Sequence, residues 1–320
     1  MDDKPQTKKS FGQKIRDYFN KSNSSQIRPS ILGAILPGFS TLAKRKGLAG
    51  KLVIFGAALT VAIILMTALS PLITPHNPSA INVGKPLSAP NGMFPLGTDD
   101  LGRDMLSRII AGGGTMLEVA LVSVAVCFAI GVPLGLFSSH TGGVIDKFFS
   151  LIMDSIYAFP GIILAIAFSL VLGRGVVNMA LSIAVVYVPS YFRMIRGQVL
   201  TIKELPYIEA ANSIGAKRRT ILRRYILPNV LPSVVVVATV NFADAILTAA
   251  GLTFIGLGVP VNVPDWGWDL TNGRRLLPSG SWWVITFPGI MIILLALGFT
   301  LMGEGLSELL NPRLEQGGEK

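Results

Sequence analysis

The side chains that most often carry catalysis or bind metals are scarce in this sequence. It holds one cysteine, Cys127, and two histidines, His76 and His140, far apart in the chain. A lone cysteine excludes a disulfide framework, and histidines without companions at ligand spacing predict no metal site. The sequence contains no GxxxxGK[ST], HExxH or GxSxG pattern, so it lacks a P-loop and the commoner zinc and serine hydrolase designs. We therefore expect no catalytic residue, no metal and no cofactor bound by the chain itself.

Two polar residues lie within an otherwise apolar segment. Asn241 and Asp244 belong to NFADAILTAAG, inside the uncharged surroundings of residues 225–264. A carboxylate within a membrane is costly unless it faces water or a partner, so such a residue commonly marks a translocation path. Contact with a substrate amino group and a structural contact between helices would each account for Asp244. The sequence leaves both open, with Asn241 and Asp244 as candidate path residues.

A polar segment, residues 203–229, has the pattern of two short helices: KELPYIEAANSIGAKRRTILRRYILPN. Pro206 suits a first helical turn, where its missing N–H costs nothing. Glu209 would then lie near the positive end of the helix dipole. Ala210 and Ala211 are strong helix formers with little bulk, so the backbone can lie close against a partner. This composition favours a short helix that contacts another protein.

The same segment contains signals for where its helices end. Gly215 allows the chain to leave the first helix in a left-handed conformation. A second helix, rich in arginine, is expected to run to Leu227, with Pro228 marking the turn into the next element. A rigid helix held between two longer elements would serve as a mechanical connection.

The composition predicts which elements position these residues. Hydrophobic residues make up 51% of the 320, charged residues only 14%, and the mean hydropathy is +0.58, whereas about 25% of a soluble domain is charged. Crossing ~30 Å of hydrocarbon takes about 20 apolar residues at ~1.5 Å per residue. Six segments qualify: 52–73, 119–139, 155–173, 175–192, 225–264 and 276–303. The glycines and Pro260 near the end of the fifth favour a helix end over a seventh span. We predict an all-α membrane protein with six transmembrane helices.

The basic residues predict the direction of these spans. Residues 1–51 hold eleven lysines and arginines, and the loop after the fourth span holds eight. With Lys147, Arg313 and Lys320, 22 of the 28 lysines and arginines fall on the same side of the membrane as these two segments. The positive-inside rule assigns that side to the cytoplasm. Both termini are therefore expected to be cytoplasmic. Because topology explains the charge of +10, no nucleic-acid partner is needed.

Three stretches resemble a known family. EAANSIGAKRRTILRRYILP resembles the cytoplasmic loop shared by the membrane subunits of binding-protein-dependent ABC importers, although Tyr225 stands where the general pattern has isoleucine. PLITPHNPSAINV with FPLGTDDLGRDMLSRIIAGG, and GLTFIGLGVPVNVPDWGWDLTNGRRLL with the residues after it, resemble the second permease subunit of the dipeptide, oligopeptide and nickel branch. The resemblance covers about residues 49–314.

The resemblance implies a fold, partners and a function. The fold is that of a type I ABC importer permease with a cytoplasmic EAA coupling-helix loop. The expected partners are a second homologous permease, two ATPase subunits that bind ATP, an extracytoplasmic solute-binding protein and membrane lipid. The expected function is uptake of di- or oligopeptides across the cytoplasmic membrane of a prokaryote, with nickel, a metal chelate or glutathione as alternatives. The residues carried over to the ATPase-coupling loop are Glu209, Ala210, Ala211, Gly215, Leu227 and Pro228.

A self-sufficient channel or ion-coupled carrier is the rival class, and it predicts transport by the isolated chain.

The expected organisation is a cytoplasmic N-terminal tail (1–50), a first span with a long outer loop (51–116), a core permease domain (117–304) that contains the coupling loop (193–229), and a cytoplasmic C-terminal tail (305–320). The N-terminal tail is expected to be either an interfacial helix or a polar disordered segment. In the outer loop, Thr98 is expected to cap a short helix with Asp99 and Asp100 in its first turn.

Overall fold

A computed structural model of the chain describes residues 47–260 and 262–310. The predicted N-terminal tail up to residue 46, and the C-terminal tail from residue 311, lie outside the described residues. Within the described ranges the chain is helical and has no strand, which confirms the all-α prediction. The α-helices there are α1 (Gly47–Ala68), α2 (Ser70–Ile73), α3 (Met105–Thr141), α4 (Gly143–Tyr157), α5 (Gly161–Leu172), α6 (Val176–Lys203), α7 (Pro206–Ser213), α8 (Arg218–Ile221), α9 (Leu227–Phe254), α10 (Trp266–Leu276) and α11 (Trp283–Leu310).

Five helical segments in this part of the chain are long and apolar enough to cross a membrane: α1, α3, α6, α11 and the run that α8 and α9 form together. The third predicted span is not a straight helix. It is the pair α4 and α5, which meet at 91°, and the total reaches six if this pair counts as one span. The fifth span ends at Phe254, so the glycines that follow belong to a helix end as predicted.

Helix α3 begins earlier than the sequence suggested and crosses residues 116 and 117 without a break. Asp104 caps it by accepting hydrogen bonds from the backbone N–H groups of Leu106 and Ser107, both at 3.2 Å. The expected helix capped by Thr98 is therefore wrong. Thr98 donates its hydroxyl hydrogen to the Lys85 carbonyl at 2.6 Å, because this segment forms a tight turn ahead of the helix.

Small residues set the contact between α3 and α6. A Cβ atom on Gly131 would lie 2.6 Å from the Cβ of Tyr191, and one on Gly135 would lie 2.8 Å from the Cβ of Ile195. Glycines four residues apart let two membrane helices approach closely. The two helices run side by side through the core, and α1 packs along α11 in the same manner.

Gly131→Val is expected to destabilise the protein because its side chain would overlap Tyr191. Overpacking of a close contact costs about 1–3 kcal/mol, so thermal unfolding in detergent should begin several degrees lower than in the wild type. Gly197→Val is the control, since nothing lies within 4 Å of a Cβ at that position on α6. Equal unfolding temperatures for the two variants would contradict the close packing of α3 on α6.

Helix α10 packs against α3, α9 and α11. Trp266 at its start is fully buried and donates its indole N–H to the Ile109 carbonyl of α3 at 2.9 Å. Cβ atoms on Gly112 and Gly113 would lie 2.7 and 2.9 Å from the Trp266 ring. The glycine run in α3 therefore makes the space for this tryptophan, which ties α10 to the core.

Candidate coupling loop and translocation path

The loop between α6 and α9 contains the predicted short helix, α7. Pro206 lies in its first turn, as predicted, and Glu209 lies in the same turn at the positive end of the helix dipole. Glu209 and Ala210 are exposed, whereas Ala211 is buried. The helix therefore has one face against the protein and one face open to a partner.

Helix α7 ends at a left-handed glycine. Gly215 has a φ of +76°. Its N–H donates to the Asn212 carbonyl at 2.9 Å, and the Ala216 N–H donates to the Ala211 carbonyl at 3.0 Å. These two bonds form the Schellman motif that commonly ends a helix. Ile214, just before the glycine, is 83% exposed, so a large apolar side chain stands at the tip of the loop.

The second half of the loop differs from the prediction. Helix α8, a five-residue π segment (Leu222–Ile226) and α9 run on as one helix of 37 residues, so Pro228 marks no turn into the span. The prediction of a turn at Pro228 is wrong. The wide π turn brings the Leu227 N–H to the Leu222 carbonyl, directly before Pro228, which has no backbone N–H to donate.

The loop is fixed to the spans through apolar and polar contacts. Ile208, Ile221 and Ile226 are buried in the cluster that contains Val199 of α6 and Val230 of α9. Lys203 donates from Nζ to the Ser139 carbonyl and, at 3.1 Å, to the His140 carbonyl at the end of α3. The loop therefore shares a core with α6 and α9, and Lys203 joins its start to the end of α3.

An ion pair that the sequence did not reveal lies on the same side of the molecule. Arg196 of α6 donates from Nη2 to a carboxylate oxygen of Asp146 on α4 at 2.7 Å. Ser138 of α3 donates to the other carboxylate oxygen at 2.8 Å. The spacing along the chain gave no local signal for either contact. Together they join three helices near the coupling loop.

The two candidate path residues occupy different environments. Asn241 is buried near Tyr191, inside the cluster of α6 and α9. Asp244 is half-buried and close enough to Tyr187 of α6 for an electrostatic interaction. The Tyr187 hydroxyl lies 3.0 Å from the hydroxyl of Thr248, one turn further along α9. Asp244 thus lies near hydroxyl groups of α6 and α9, whereas Asn241 is buried beside α6, and both stay candidate path residues.

Beside α10, a buried ion pair joins elements far apart in sequence. Arg108 of α3 donates from Nε to Asp269 of α10 at 2.8 Å, and both side chains are almost fully buried. Arg108 also donates to the Pro78 carbonyl at 3.2 Å. Asp99 and Arg103 form a second buried pair nearby. Their spacing of four residues was a usable signal, but nothing local connects Arg108 with Asp269.

Residues 131–316 match a family described as the binding-protein-dependent transport system inner membrane component. This range contains the coupling loop, both candidate path residues and α10. The chain belongs to this family.

Members of the family named for peptide transport match most of the chain. The dipeptide transport system permease protein of Alkalihalophilus pseudofirmus is 38% identical over 83% of this chain and 87% of its own length. The di/tripeptide transport system permease protein of Pseudomonas aeruginosa is 34% identical over 92% of this chain and 96% of its own length. The glutathione transport system permease protein of Pectobacterium atrosepticum is 40% identical over 71% and 75%.

A solved structure supports the fold of this family member. An inward-facing methionine ABC transporter contains a chain of similar fold, with a TM-score of 0.52 and 22% identity. The similarity covers 65% of this chain and 98% of the other. The chain is thus an integral membrane permease subunit with the helical architecture of an ABC importer.

Asp265, which caps α10 in this permease, has an unusual carboxyl group. Burial is the main cause that raises its pKa to about 7, and the charge of the neighbouring Asp269 acts in the same direction, whereas the hydrogen bond from the Trp268 N–H and the charge of Arg108 act in the opposite direction. Between the ordinary aspartate pKa and 7, the folded protein holds a proton that the unfolded chain has lost. Stability contributed by this group is therefore present at low pH and falls as the pH rises through that window.

Asp265→Asn is expected to remove this pH dependence while keeping the cap, because an asparagine oxygen can also accept from the Trp268 N–H. Between pH 5 and pH 8 the wild type should lose a few degrees more in Tm than the variant, since about 1 kcal/mol moves Tm by about 2–4 °C. Thermal unfolding in detergent at both pH values measures this. Asp100→Asn, at a half-buried position nearby, should keep the wild-type dependence, and equal slopes for all three proteins would contradict the assignment.

Proposed function

We propose that the chain is the permease subunit of an ABC importer that moves di- or oligopeptides across the cytoplasmic membrane. The observation that carries this proposal is the similarity to permeases named for dipeptide and di/tripeptide transport over more than four fifths of the chain. The chain itself contains no P-loop, so the proposed energy source is ATP hydrolysis on partner subunits.

The proposed contact with the ATPases is the exposed face of α7. Glu209, Ala210 and Ile214 offer a small surface with one large apolar side chain outside the spans. Since α7 shares a core with α6 and α9, closure of the ATPases would move the ends of these spans. Both termini and the coupling loop are assigned to the cytoplasm on the distribution of lysine and arginine.

The remaining proposed partners complete the transporter. A second, homologous permease would form the other half of the path, and two ATPase subunits would bind the two coupling loops. A solute-binding protein outside the membrane would deliver the peptide to the outer surface that α10 and residues 74–104 form. Because the binding protein selects the solute, the permease needs no tight substrate site.

Glutathione is a second candidate substrate. A glutathione permease is 40% identical to this chain over 71% of its length, and glutathione is itself a tripeptide with free carboxylate and ammonium groups. Nickel and metal chelates are the further alternatives that the sequence resemblance leaves open.

A pull-down of the tagged chain in mild detergent tests the machine class. Recovery of a second permease and P-loop ATPases, identified by mass spectrometry, is the expected result. A chain that is purified alone and moves solute in liposomes would overturn the proposal in favour of a carrier or channel.

Uptake by the reconstituted complex tests the substrate. Liposomes containing both permeases and the ATPases, supplied with the co-encoded binding protein, should accumulate a labelled dipeptide only with ATP. Unlabelled dipeptide, glutathione and nickel are the competitors. ATP-dependent accumulation of labelled glutathione or nickel, with no accumulation of labelled dipeptide, would replace peptides as the substrate.

A further inference from the structure

Helices α4 and α5 meet at 91° across Ala158, Phe159 and Pro160. A proline has no backbone N–H, and it also disfavours helical geometry in the residue before it. Helix α5 begins without a side-chain cap, so its first N–H groups depend on their surroundings for hydrogen bonds. Phe159, within the break, is 61% exposed. The break is therefore an uncapped stretch of backbone at the surface of this chain.

Helix lengths place this break inside the hydrocarbon layer. Helix α5 has 12 residues and ends beside Arg174, so at ~1.5 Å per residue it extends about 18 Å from that membrane boundary. Arg193 of α6 lies 4.1 Å over the ring of Tyr157, the last residue of α4. Counted along α6 from Val176, Arg193 is about 26 Å deep. The break thus lies between about 18 and 26 Å into a layer of about 30 Å, so Arg193, which the sequence placed at the start of the loop after the fourth span, belongs to the last turns of that span.

An exposed ion pair lies beside the break. Arg193 donates from Nη2 to Asp154 on α4 at 2.9 Å, and the two side chains are 51% and 63% exposed. Because α4 turns away from α5 by 91°, Asp154 stays near the depth of Tyr157. Charged side chains at such depth face water or protein, because contact with lipid tails is costly. Irregular backbone at this depth is likewise tolerated only against protein or a water-filled cavity.

The polar surface continues towards Asp244. The start of α5 packs on α6 and α9, where Gly161 lies against Val186 and Ile162 lies against Gly251. Tyr187, next to Val186, carries the hydroxyl that lies 3.0 Å from that of Thr248. The group of Tyr187, Thr248 and Asp244 therefore adjoins the break on the neighbouring helices.

We infer that the break surface, defined as residues 158–160 with Asp154, Tyr157 and Arg193, lines a water-filled path completed by a second permease subunit. This inference rests on the proposed function and specifies which face of the chain forms the path. Asp154 and Arg193 present both charges side by side. They therefore suit a zwitterionic peptide, because its ammonium group can pair with Asp154 and its carboxylate group with Arg193 as it passes.

Thiol labelling tests the inference. In a Cys127→Ala background, which removes the one native thiol, Phe159→Cys places a thiol in the break. Phe55→Cys is the matched control, since Phe55 on α1 is 60% exposed and lies one turn after Lys51. The probe is a membrane-impermeant, cationic methanethiosulfonate, applied to inside-out vesicles that contain the assembled transporter.

Phe159→Cys is expected to react roughly 10-fold faster or more than Phe55→Cys, because the reactive thiolate forms only where water reaches it. Equal rates would overturn the inference. If Phe159→Cys fails to assemble, Ala158→Cys makes a smaller change in the same break. Its labelling rate is then compared with that of Phe55→Cys, and equal rates would again overturn the inference.

Peptide uptake by the Cys127→Ala parent separates this inference from the proposed function. A parent that takes up peptide with ATP, combined with equal labelling rates, contradicts the path assignment alone. A parent and a wild type that both lack ATP-dependent uptake contradict the proposed function instead.

Discussion

Arg108→Met is expected to cost about 3–5 kcal/mol of stability, which is typical of breaking a buried ion pair by removing one partner. The change leaves the Asp269 carboxylate buried without its cation, and it removes the donor that holds the Pro78 carbonyl at 3.2 Å. Because this one side chain connects α3, α10 and the outer loop, the whole outer surface should loosen. The variant should unfold in detergent well below the wild-type temperature.

Two companion variants make this prediction specific. Lys85→Met removes an exposed cation from the same outer loop and should change stability little. Arg108→Met combined with Asp269→Leu removes both charges, and it should recover part of the loss because no buried charge remains. If Arg108→Met unfolds at the temperature of Lys85→Met, the pair does not stabilise the outer surface.

Local signals explain what the sequence predicted correctly. The apolar length of a segment is enough to locate most spans, because lipid selects for it directly. Helix α7 was predictable because Pro206 and Gly215 act through their own backbone preferences, at the helix start and in the left-handed turn after it. The family resemblance rested on the stretch from Glu209 to Pro228, which contains Gly215, and on two further stretches.

Features that depend on distant contacts were not predictable in this way. Proline alone did not reveal the break at Pro160, because Pro133 and Pro189 lie inside unbroken helices of the same bundle. Arg108 and Asp269 are 161 positions apart, so only the fold brings them together. The continuous helix through Pro228 contains a π turn at Leu222–Ile226, which no pattern in the sequence predicted.

Gly215→Val is expected to reduce ATP-driven uptake by roughly 10-fold while leaving membrane insertion intact. A residue with a Cβ atom pays about 1–2 kcal/mol in the left-handed region, and a β-branched residue pays more. The backbone can lower this strain by changing φ from +76°, and that change would break the two hydrogen bonds that end α7. Ile214 and the exposed face of α7 would then lose the orientation that the proposed ATPase contact needs. Uptake of labelled dipeptide by the reconstituted complex measures the effect.

Two further variants separate coupling from simple backbone strain. Gly280→Val imposes a similar strain at the left-handed turn between α10 and α11, where φ is +81° and nothing lies within 4 Å of a Cβ, yet it should keep its ATPase subunits in a pull-down. Gly215→Asn should retain most of the uptake, because asparagine tolerates left-handed geometry better than other residues with a Cβ atom. Since nothing in this chain lies within 4 Å of a Cβ at Gly215, a defect in Gly215→Val does not come from overlap with the permease itself. Normal uptake by Gly215→Val would therefore refute the assignment of α7 as the coupling helix.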